Sequence, residues 1–210
     1  MTYRPFSMGM KGGRSPTRRS ILEAAREVFG ERGYHAASID DVTRAAGTTK
    51  GAMYWHFRDK RDLYLAAALE AADAYRRAVL EPLEGASSLP QVVGSLFELN
   101  ARFYAENPKI ARFYSTMTFE GQILSESRLV RHVVGIYAEY RRVVARALSR
   151  ALRRPAGRLE NAAASLIALC DGLFIQHAAD PQGFPLEPAF KAAAEIALDG
   201  LARPGRKGGA

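Results

Sequence analysis

The chain has 210 residues, 48% hydrophobic and 25% charged, which excludes general disorder and fits one or two globular domains. Its net charge is +8, and its single cysteine, Cys170, excludes an intramolecular disulfide framework and favours the reducing cytoplasm. No uninterrupted apolar run approaches the ~20 residues of a membrane span, and no apolar segment follows the basic N-terminus. We therefore expect neither a membrane anchor nor a secretory signal.

The N-terminal part of the chain is its most basic part. Residues 1–60 hold eleven Lys or Arg against six Asp or Glu, and five of the basic residues lie in the first nineteen positions, where there is no acid. Residues 1–16 are rich in Gly, Ser, Thr and Pro and lack hydrophobic periodicity, which predicts a flexible basic arm. Such an arm is either a solvated tail or a nucleic-acid contact, and the segments that follow favour the contact.

Four helices are predicted directly after the arm. Apolar residues from Ile21 to Phe29 recur at the i, i+3, i+4, i+7 and i+8 spacing of a buried stripe, and Gly33 ends this first helix. Ser38 caps a short second helix, with Asp41 three residues later in a capping-box position. The four predicted helices occupy about 17–33, 38–46, 49–57 and 59–80.

The rest of the chain is also predicted to be helical. Breaks rich in Pro and Gly separate long segments, no period-2 run of β-branched residues persists, and there is no internal repeat. These helices are predicted at about 90–106, 108–119, 125–153, 158–179 and 187–202. The predicted fold class is therefore all-α, with about nine helices.

Residues 38–57 have the pattern of a helix-turn-helix, two short helices around a glycine-containing turn. The second helix carries polar or small residues where a core-facing helix would carry Leu or Val. Gly51 within it costs ~1 kcal/mol relative to Ala, which suggests a close approach of backbone to a partner. The start of this helix and Lys50 also suit a phosphate group. Many ordinary helical hairpins turn on a glycine, so the pattern alone leaves DNA binding and a packing role open.

Residues 17 to about 65 resemble the N-terminal domain of the TetR family of bacterial transcriptional regulators. The resemblance lies in the phrase ILEAAREVFGERGYHAASI, the glycine turn, the segment TTKGAMYWHF and the lysine of RDK. It implies a three-helix DNA-binding domain at 17–62, with a recognition helix in the major groove. The resemblance assigns DNA contacts to Thr43, Arg44, Thr49, Lys50, Gly51, Tyr54, His56 and Lys60. The basic arm adds Lys11, Arg14 and Arg18, whereas Trp55 and Phe57 are assigned to packing because large aromatic residues at helical spacing are more often core.

A second copy of the chain is expected, because one recognition helix carries only three or four side chains that can read bases. The helix at 158–179 is apolar nearly all round, so one side fits the subunit's own core and the other a partner. Complete burial within one subunit is the alternative. In the TetR family the last two long helices form the dimer, which agrees with a partner. The predicted interface residues are Ala163, Leu166, Ile167, Phe174, His177, Phe190, Ala194, Ala197 and Leu201.

The middle helices carry a dense set of aromatic residues with polar tips. Such rings either fill a helical core or line a cavity for a small molecule. The resemblance favours a cavity, because the C-terminal domain of the family commonly binds an inducer. The predicted ligand-binding residues are Phe97, Asn100, Phe103, Tyr104, Phe113, Tyr114, Met117, Tyr137, Tyr140 and Phe174. For Cys170, Asp171, Gln176 and His177, the sequence does not separate the pocket from the interface.

Enzyme chemistry has little support in the sequence. The four histidines are far apart, without metal-ligand spacing, and there is no phosphate-binding loop, dinucleotide fingerprint or nucleophile elbow. We therefore expect no catalytic site, metal or cofactor. A cytosolic helical enzyme is the least favoured alternative.

The combined expectation is a cytoplasmic homodimer that binds a palindromic DNA operator, most simply as a repressor, and is released by a small-molecule effector. The expected domains are the arm at 1–16, the DNA-binding domain at 17–62, a ligand-binding and dimerisation domain at 63–202 and a tail at 203–210. The fourth helix, at 59–80, is expected to be the only long element linking the two domains. A constitutive architectural DNA-binding protein without a ligand is the main alternative.

Overall fold

The computed structural model describes residues 15–123 and 127–202, and within these ranges the chain forms nine α-helices and no strand. The all-α prediction is therefore confirmed for this part of the chain. The helices are α1 (Pro16–Ala36), α2 (Ile39–Ala45), α3 (Lys50–His56), α4 (Lys60–Tyr75), α5 (Leu89–Glu106), α6 (Pro108–Ile123), α7 (Ser127–Leu152), α8 (Glu160–Ala179) and α9 (Leu186–Ala202). A π-helical turn at Arg76–Leu80 and a 3-10 turn at Pro82–Gly85 extend α4 toward α5.

Local capping explains where the first helices begin and end. The Ser38 hydroxyl accepts a hydrogen bond from the Asp41 N–H at 3.1 Å, and the Asp41 carboxylate accepts one from the Ser38 N–H at 3.0 Å. The predicted capping box is therefore present. Gly33 and Gly47 have positive φ angles of 75° and 61°, a region open to glycine at little cost. Gly47 makes the turn between α2 and α3. Gly33 has a non-helical backbone and breaks α1 where the sequence predicted its end, and a short helical turn follows it to Ala36.

The buried residues form two hydrophobic clusters. The N-terminal cluster joins α1 to α4, and α6 contributes Phe113 and Met117 to it. The C-terminal cluster begins at Tyr75 and includes buried residues of α5 to α9. Because α4 carries residues of both clusters, with the change between Ala71 and Tyr75, it runs from the first helices into the second core.

The last two helices pack against the body of the subunit by one face each. α8 packs against α7, and α9 packs mainly against α5. Among the described helices, α8 alone is long and apolar enough to cross a membrane by length and composition, although Asp171 interrupts its apolar sequence. Only 28% of its apolar window is buried. Leu169 and Ile175 on α8 and Ile196 on α9 are exposed apolar side chains.

Candidate DNA-binding surface and ligand cavity

The seven residues of α3 divide between the core and the solvent. Met53 and Phe57, at an i, i+4 spacing, are buried in the N-terminal cluster, whereas Tyr54 is 52% exposed and Trp55 81% exposed. The assignment of Trp55 to packing was therefore wrong, and that of Phe57 is confirmed. Trp55 lies two residues after Met53, about 200° around the helix axis, so a helix that buries Met53 turns Trp55 away from the core.

The start and outer face of α3 form one exposed surface, which we call the recognition surface. It consists of Thr49, Lys50, Gly51, Tyr54 and Trp55, all exposed. Thr49 caps the helix, because its hydroxyl accepts a hydrogen bond from the Ala52 N–H at 3.2 Å. A Cβ added to Gly51 would meet only the Thr49 hydroxyl, at 3.8 Å. Packing within the subunit therefore gives no reason for a glycine at position 51.

Basic side chains occur on the recognition surface and on the neighbouring helices α1 and α2. Lys50 Nζ lies 2.7 Å from Asp40 Oδ1, and this hydrogen bond raises the pKa of Lys50, which remains charged. Arg44 is well exposed, with Nη1 3.6 Å from Asp41 Oδ1. The Arg18 guanidinium lies 5.3 Å from the centre of the Phe57 ring.

Of the other predicted DNA contacts, Lys60 and His56 are partly buried. Lys60 Nζ lies 4.6 Å from the centre of the Tyr34 ring and donates to the His35 carbonyl at 3.3 Å. His56 is partly buried, with Nε2 3.5 Å from the Ser15 hydroxyl. Lys11 and Arg14 lie outside the described residues.

Thr43 is a correction to the predicted contacts. Its side chain is only 6% exposed, and its hydroxyl donates a hydrogen bond to the Asp40 carbonyl at 3.2 Å. Thr43 and Val42 are the two buried residues of α2. We therefore leave Thr43 out of the recognition surface.

A cavity of about 40 Å³ lies among α4 to α8, on the side of the molecule where Tyr75 ends α4. This volume gives room on the order of three water molecules. The Tyr104 and Phe174 rings stack with centres 4.3 Å apart, and the Tyr75 and Tyr140 rings lie 4.7 Å apart. The lining residues are Tyr75, Tyr104, Tyr114, Ser115, Tyr137, Tyr140, Asp171, Phe174 and Ile175.

Five of the ten predicted ligand-binding residues line this cavity, namely Tyr104, Tyr114, Tyr137, Tyr140 and Phe174. Phe113 and Met117 do not, because their shared face of α6 points into the N-terminal cluster. Phe97 lines a separate groove of about 580 Å³ between α5 and α9. The structure therefore does not bring these three residues into the cavity lined by the other five.

Asn100 and Phe103 are buried behind the cavity wall and not in it. The Asn100 amide oxygen accepts a hydrogen bond from the Tyr75 hydroxyl at 2.9 Å, and the Phe103 ring meets the Tyr75 ring edge-on at 5.3 Å. Both residues therefore hold Tyr75 in position. Tyr75 itself was missed in the sequence, although it continues the buried stripe of Leu63, Ala67 and Ala71 at four-residue spacing.

Asp171 is the charged group of the cavity. Burial raises the pKa of its carboxyl from 3.8 to about 6, although a hydrogen bond from Tyr137 acts in the opposite direction. Among the described residues, no Lys, Arg or His forms an ion pair with Asp171. The cavity thus combines a ring of aromatic side chains with a carboxyl group that has no cationic partner.

The structure also separates the residues that the sequence left undecided. Cys170 is 1% exposed and belongs to the C-terminal core, where burial raises the pKa of its thiol. Gln176 is exposed on α8. His177 is partly buried, and its Nδ1 lies 2.9 Å from the Phe184 carbonyl oxygen. Of these residues and Asp171, only Asp171 lines the cavity.

Most of the predicted dimer-interface residues face the subunit's own core. The buried ones are Ala163, Leu166, Ile167, Phe174, Phe190 and Ala197. These residues are the ones through which α8 and α9 pack within the subunit, so they present little surface to a partner. His177, Ala194 and Leu201 are partly exposed. The large apolar residues of α8 and α9 that are exposed are Leu169, Ile175 and Ile196.

Known proteins resemble both halves of the chain. Residues 21–67 match the family described as bacterial regulatory proteins, tetR family, and residues 105–203 match the BetI-type transcriptional repressor, C-terminal. The transcriptional regulator UidR of Escherichia coli K12 is 33% identical over 91 residues, which cover 43% of this chain and 46% of UidR. The chain therefore matches about half the length of this relative.

Two solved structures share the fold. A transcriptional regulator from Saccharomonospora viridis, in complex with choline, aligns with a TM-score of 0.72 and 21% identity over 87% of this chain and 96% of that one. FadR from Bacillus subtilis, in complex with stearoyl-CoA, aligns with a TM-score of 0.69 and 18% identity over 87% of this chain and 98% of that one. These proteins are regulators of transcription and not enzymes. The chain belongs to the TetR family of bacterial transcriptional regulators.

Proposed function

We propose that the protein is a homodimeric repressor that binds a palindromic DNA operator and is released from it by a small-molecule effector. The recognition surface carries this proposal. On its outer side α3 presents Lys50, Tyr54 and Trp55 to the solvent, while its inner side is held in the core by Met53 and Phe57. A short helix held in this way is suited to entering the major groove as a rigid unit.

The recognition surface offers both kinds of DNA contact. Lys50 can exchange its ion pair with Asp40 for one with a phosphate, because both side chains are largely exposed. The open space around Gly51 allows a close approach of the DNA to the helix. Tyr54 and Trp55 supply polar tips and apolar edges for base contacts. Arg18, Arg44, His56 and Lys60 are proposed to contact flanking phosphates, and so are Lys11 and Arg14 of the arm.

The exposed apolar residues of α8 and α9 support a homodimer. Leu169 is 42% exposed and Ile196 is 71% exposed, although each lies on a helix whose other face is well packed. A second copy that covers them would also account for the apolar outer face of α8. Two copies related by a twofold axis would place their recognition surfaces ~34 Å apart, one turn of DNA, or a multiple of that distance.

The cavity is the proposed effector site, and two helices connect it to the DNA-binding part. Tyr75 ends α4, while Tyr114 and Ser115 belong to α6, and both helices pack against α1. The expectation that the fourth helix is the only link was therefore too narrow. For release to occur, the effector must bind the DNA-incompetent state more tightly. A coupling of ~1–3 kcal/mol would weaken operator binding roughly 5–150-fold.

Repression and a cytoplasmic location are parts of the same proposal. The match of residues 105–203 to a C-terminal model described for a transcriptional repressor supports repression. A protein that acts on a bacterial operator works in the cytoplasm, which also suits the single cysteine, Cys170. We propose residues 17–62 as the DNA-binding domain and residues 63–202 as the ligand-binding and dimerisation domain.

Selection of bound sequences from random duplex DNA, followed by footprinting, tests the proposal. We expect one protected palindrome whose half-sites are an integral number of DNA turns apart. Uniform coating of the duplex would instead support a constitutive architectural protein. A screen for small molecules that release the selected duplex then tests effector control. If no compound changes the affinity of the protein for the duplex, release by an effector is contradicted.

A further inference from the structure

We infer that the effector is a compact organic monocation, bound with its cationic head among the aromatic rings of the cavity and with Asp171 as its counter-charge. The inference rests on the proposed function, because it names the class of molecule that would occupy the proposed effector site. It follows from two properties of the cavity, its aromatic wall and a carboxyl group that forms no ion pair with any described residue.

The aromatic wall provides what a cation without hydrogen-bond donors requires. Tyr104 stacks on Phe174 at 4.3 Å, Tyr75 lies 4.7 Å from Tyr140, and Tyr137 meets Tyr140 edge-on at 6.1 Å. The face of an aromatic ring carries negative electrostatic potential, so a cation within about 6 Å of several ring centres is attracted to all of them. Methylated ammonium groups are recognised in this way in aromatic cages.

Asp171 supplies the charge that makes a cation preferable to a neutral ligand. It lines the cavity, and no Lys, Arg or His among the described residues forms an ion pair with it. An ionised carboxylate in an apolar site is costly unless an opposite charge accompanies it. A bound cation would remove that cost, which burial makes evident in the raised pKa of Asp171.

Among the described residues, the titratable groups that face Asp171 provide no competing positive charge. They are Tyr75 of α4, Tyr104 of α5, Tyr137 and Tyr140 of α7, and Cys170 of α8. Burial raises the pKa of Tyr75, Tyr104, Tyr140 and Cys170, so these groups are uncharged near neutral pH. The Tyr114 hydroxyl of α6 forms a hydrogen bond with the Tyr140 hydroxyl at 2.8 Å, and burial raises the pKa of Tyr114 as well. Glu139, beside Tyr140, is acidic.

The size of the cavity favours a small head group over a long acyl chain. A methylated ammonium group is close in size to the few water molecules for which the cavity of about 40 Å³ has room. An acyl chain would require a much larger opening, and it would place hydrocarbon against the Asp171 carboxyl group. Such a ligand leaves the carboxylate without a partner, which the apolar surroundings penalise.

Calorimetric titration of the full-length protein without DNA tests the inference. The probes are tetramethylammonium, choline and 3,3-dimethylbutan-1-ol, an uncharged molecule in which carbon replaces the nitrogen of choline. We expect both cations to bind. The neutral alcohol should bind at least about tenfold more weakly than choline, because it makes no cation–π interaction and has no charge to pair with Asp171. This comparison uses the unaltered protein and so does not depend on the folding of a variant.

Two variants then assign the charge to its residue. Asp171→Asn keeps the shape of the side chain and is expected to lower choline affinity at least about tenfold while leaving the neutral alcohol unaffected. Glu160→Gln removes an exposed carboxylate from the same helix and is expected to leave choline affinity unchanged. Choline affinity of the unaltered protein should also fall as the pH drops below about 6, where Asp171 becomes protonated.

Three results would overturn the inference: equal affinity for choline and the neutral alcohol, unchanged choline affinity in Asp171→Asn, or binding of stearoyl-CoA by a protein that binds neither cation. If the protein selects and binds an operator but binds neither cation, this inference alone is overturned and the proposed function stands. Cation binding by a protein that selects no discrete DNA site would overturn the proposed function and leave the cation site standing.

Discussion

Gly30 of α1 lies directly against the backbone of Phe113 of α6. A Cβ added to Gly30 would come within 3.1 Å of the Phe113 backbone nitrogen, and the Thr116 hydroxyl donates a hydrogen bond to the Gly30 carbonyl at 3.0 Å. The two helices therefore approach as closely as a glycine permits. Since α6 also carries Tyr114 and Ser115 of the cavity wall, this contact joins the proposed effector site to α1, the first helix of the proposed DNA-binding domain.

The contact predicts the effect of a larger side chain at position 30. Gly30→Val is expected to lower the free energy of unfolding by about 1–3 kcal/mol, because overpacking must push α1 and α6 apart. Urea denaturation measures this change. The matched control is Gly94→Val in α5, where an added Cβ meets nothing within 4 Å, so we expect a change within about 0.5 kcal/mol. Equal stability of the two variants would show that the helices separate without cost.

Trp55 and Tyr54 are predicted to contribute to operator binding and not to stability. Trp55→Ala and Tyr54→Ala are each expected to weaken binding of the selected operator by about 1–3 kcal/mol, the range for loss of a good base contact. The melting temperature should not fall, because both side chains are exposed. Leu69→Ala, which removes an exposed apolar side chain from α4, is the control and should leave DNA binding unchanged. Full operator affinity in both aromatic variants would contradict the proposed recognition surface.

The ion pair between Lys50 and Asp40 predicts opposite effects of two charge changes. Lys50→Ala should weaken DNA binding and reduce the salt dependence by about one phosphate contact. Asp40→Asn should strengthen binding, because it frees Lys50 and removes a negative charge next to the DNA. Operator titrations at several salt concentrations measure both effects. A weaker affinity in Asp40→Asn would indicate that the ion pair positions Lys50 for its contact.

Asp171 predicts a pH dependence of stability. Its folded-state pKa of about 6 exceeds the ordinary 3.8, so the unliganded protein is most stable with the carboxyl group protonated and loses stability as the pH rises through this interval. The full rise corresponds to about 3 kcal/mol. Asp171→Asn cannot ionise, so its stability relative to the unaltered protein should increase between about pH 4 and about pH 6 and then level off. Denaturation midpoints over this range measure the difference, which must vary with pH if Asp171 is its source.

The exposed residues of α8 and α9 predict how the dimer can be broken. Leu169→Arg and Ile196→Arg are expected to yield monomers in light scattering, because an unpaired charge at the centre of an apolar interface is costly. Palindromic operator affinity should fall with the loss of the dimer. Val134→Arg changes an equally exposed apolar residue on α7 and is the control that should remain dimeric. A dimer that persists in both α8 and α9 variants would place the interface elsewhere.

The sequence by itself determined the features of this protein that depend on neighbouring residues. Helix periodicity, the capping box of Ser38 and Asp41, and the glycine turn at Gly47 are local, because hydrogen bonds and φ preferences act within a few positions. The all-α fold and the two short helices before Phe57 follow from them. The TetR resemblance also required only the order of these local signals.

Only the tertiary structure decided which face of each helix meets which neighbour. Trp55 and Phe57 are both large aromatic residues of one segment, yet one is 81% exposed and the other is buried, because only Phe57 reaches the N-terminal cluster. Phe113 and Tyr114 are adjacent, yet Phe113 is buried in the N-terminal cluster, whereas Tyr114 lines the cavity. Asp171 became the charged group of a cavity through helices that are distant in the chain. Burial is set by long-range packing. The periodicity of a single helix shows which of its faces is apolar, but not which other helix covers that face.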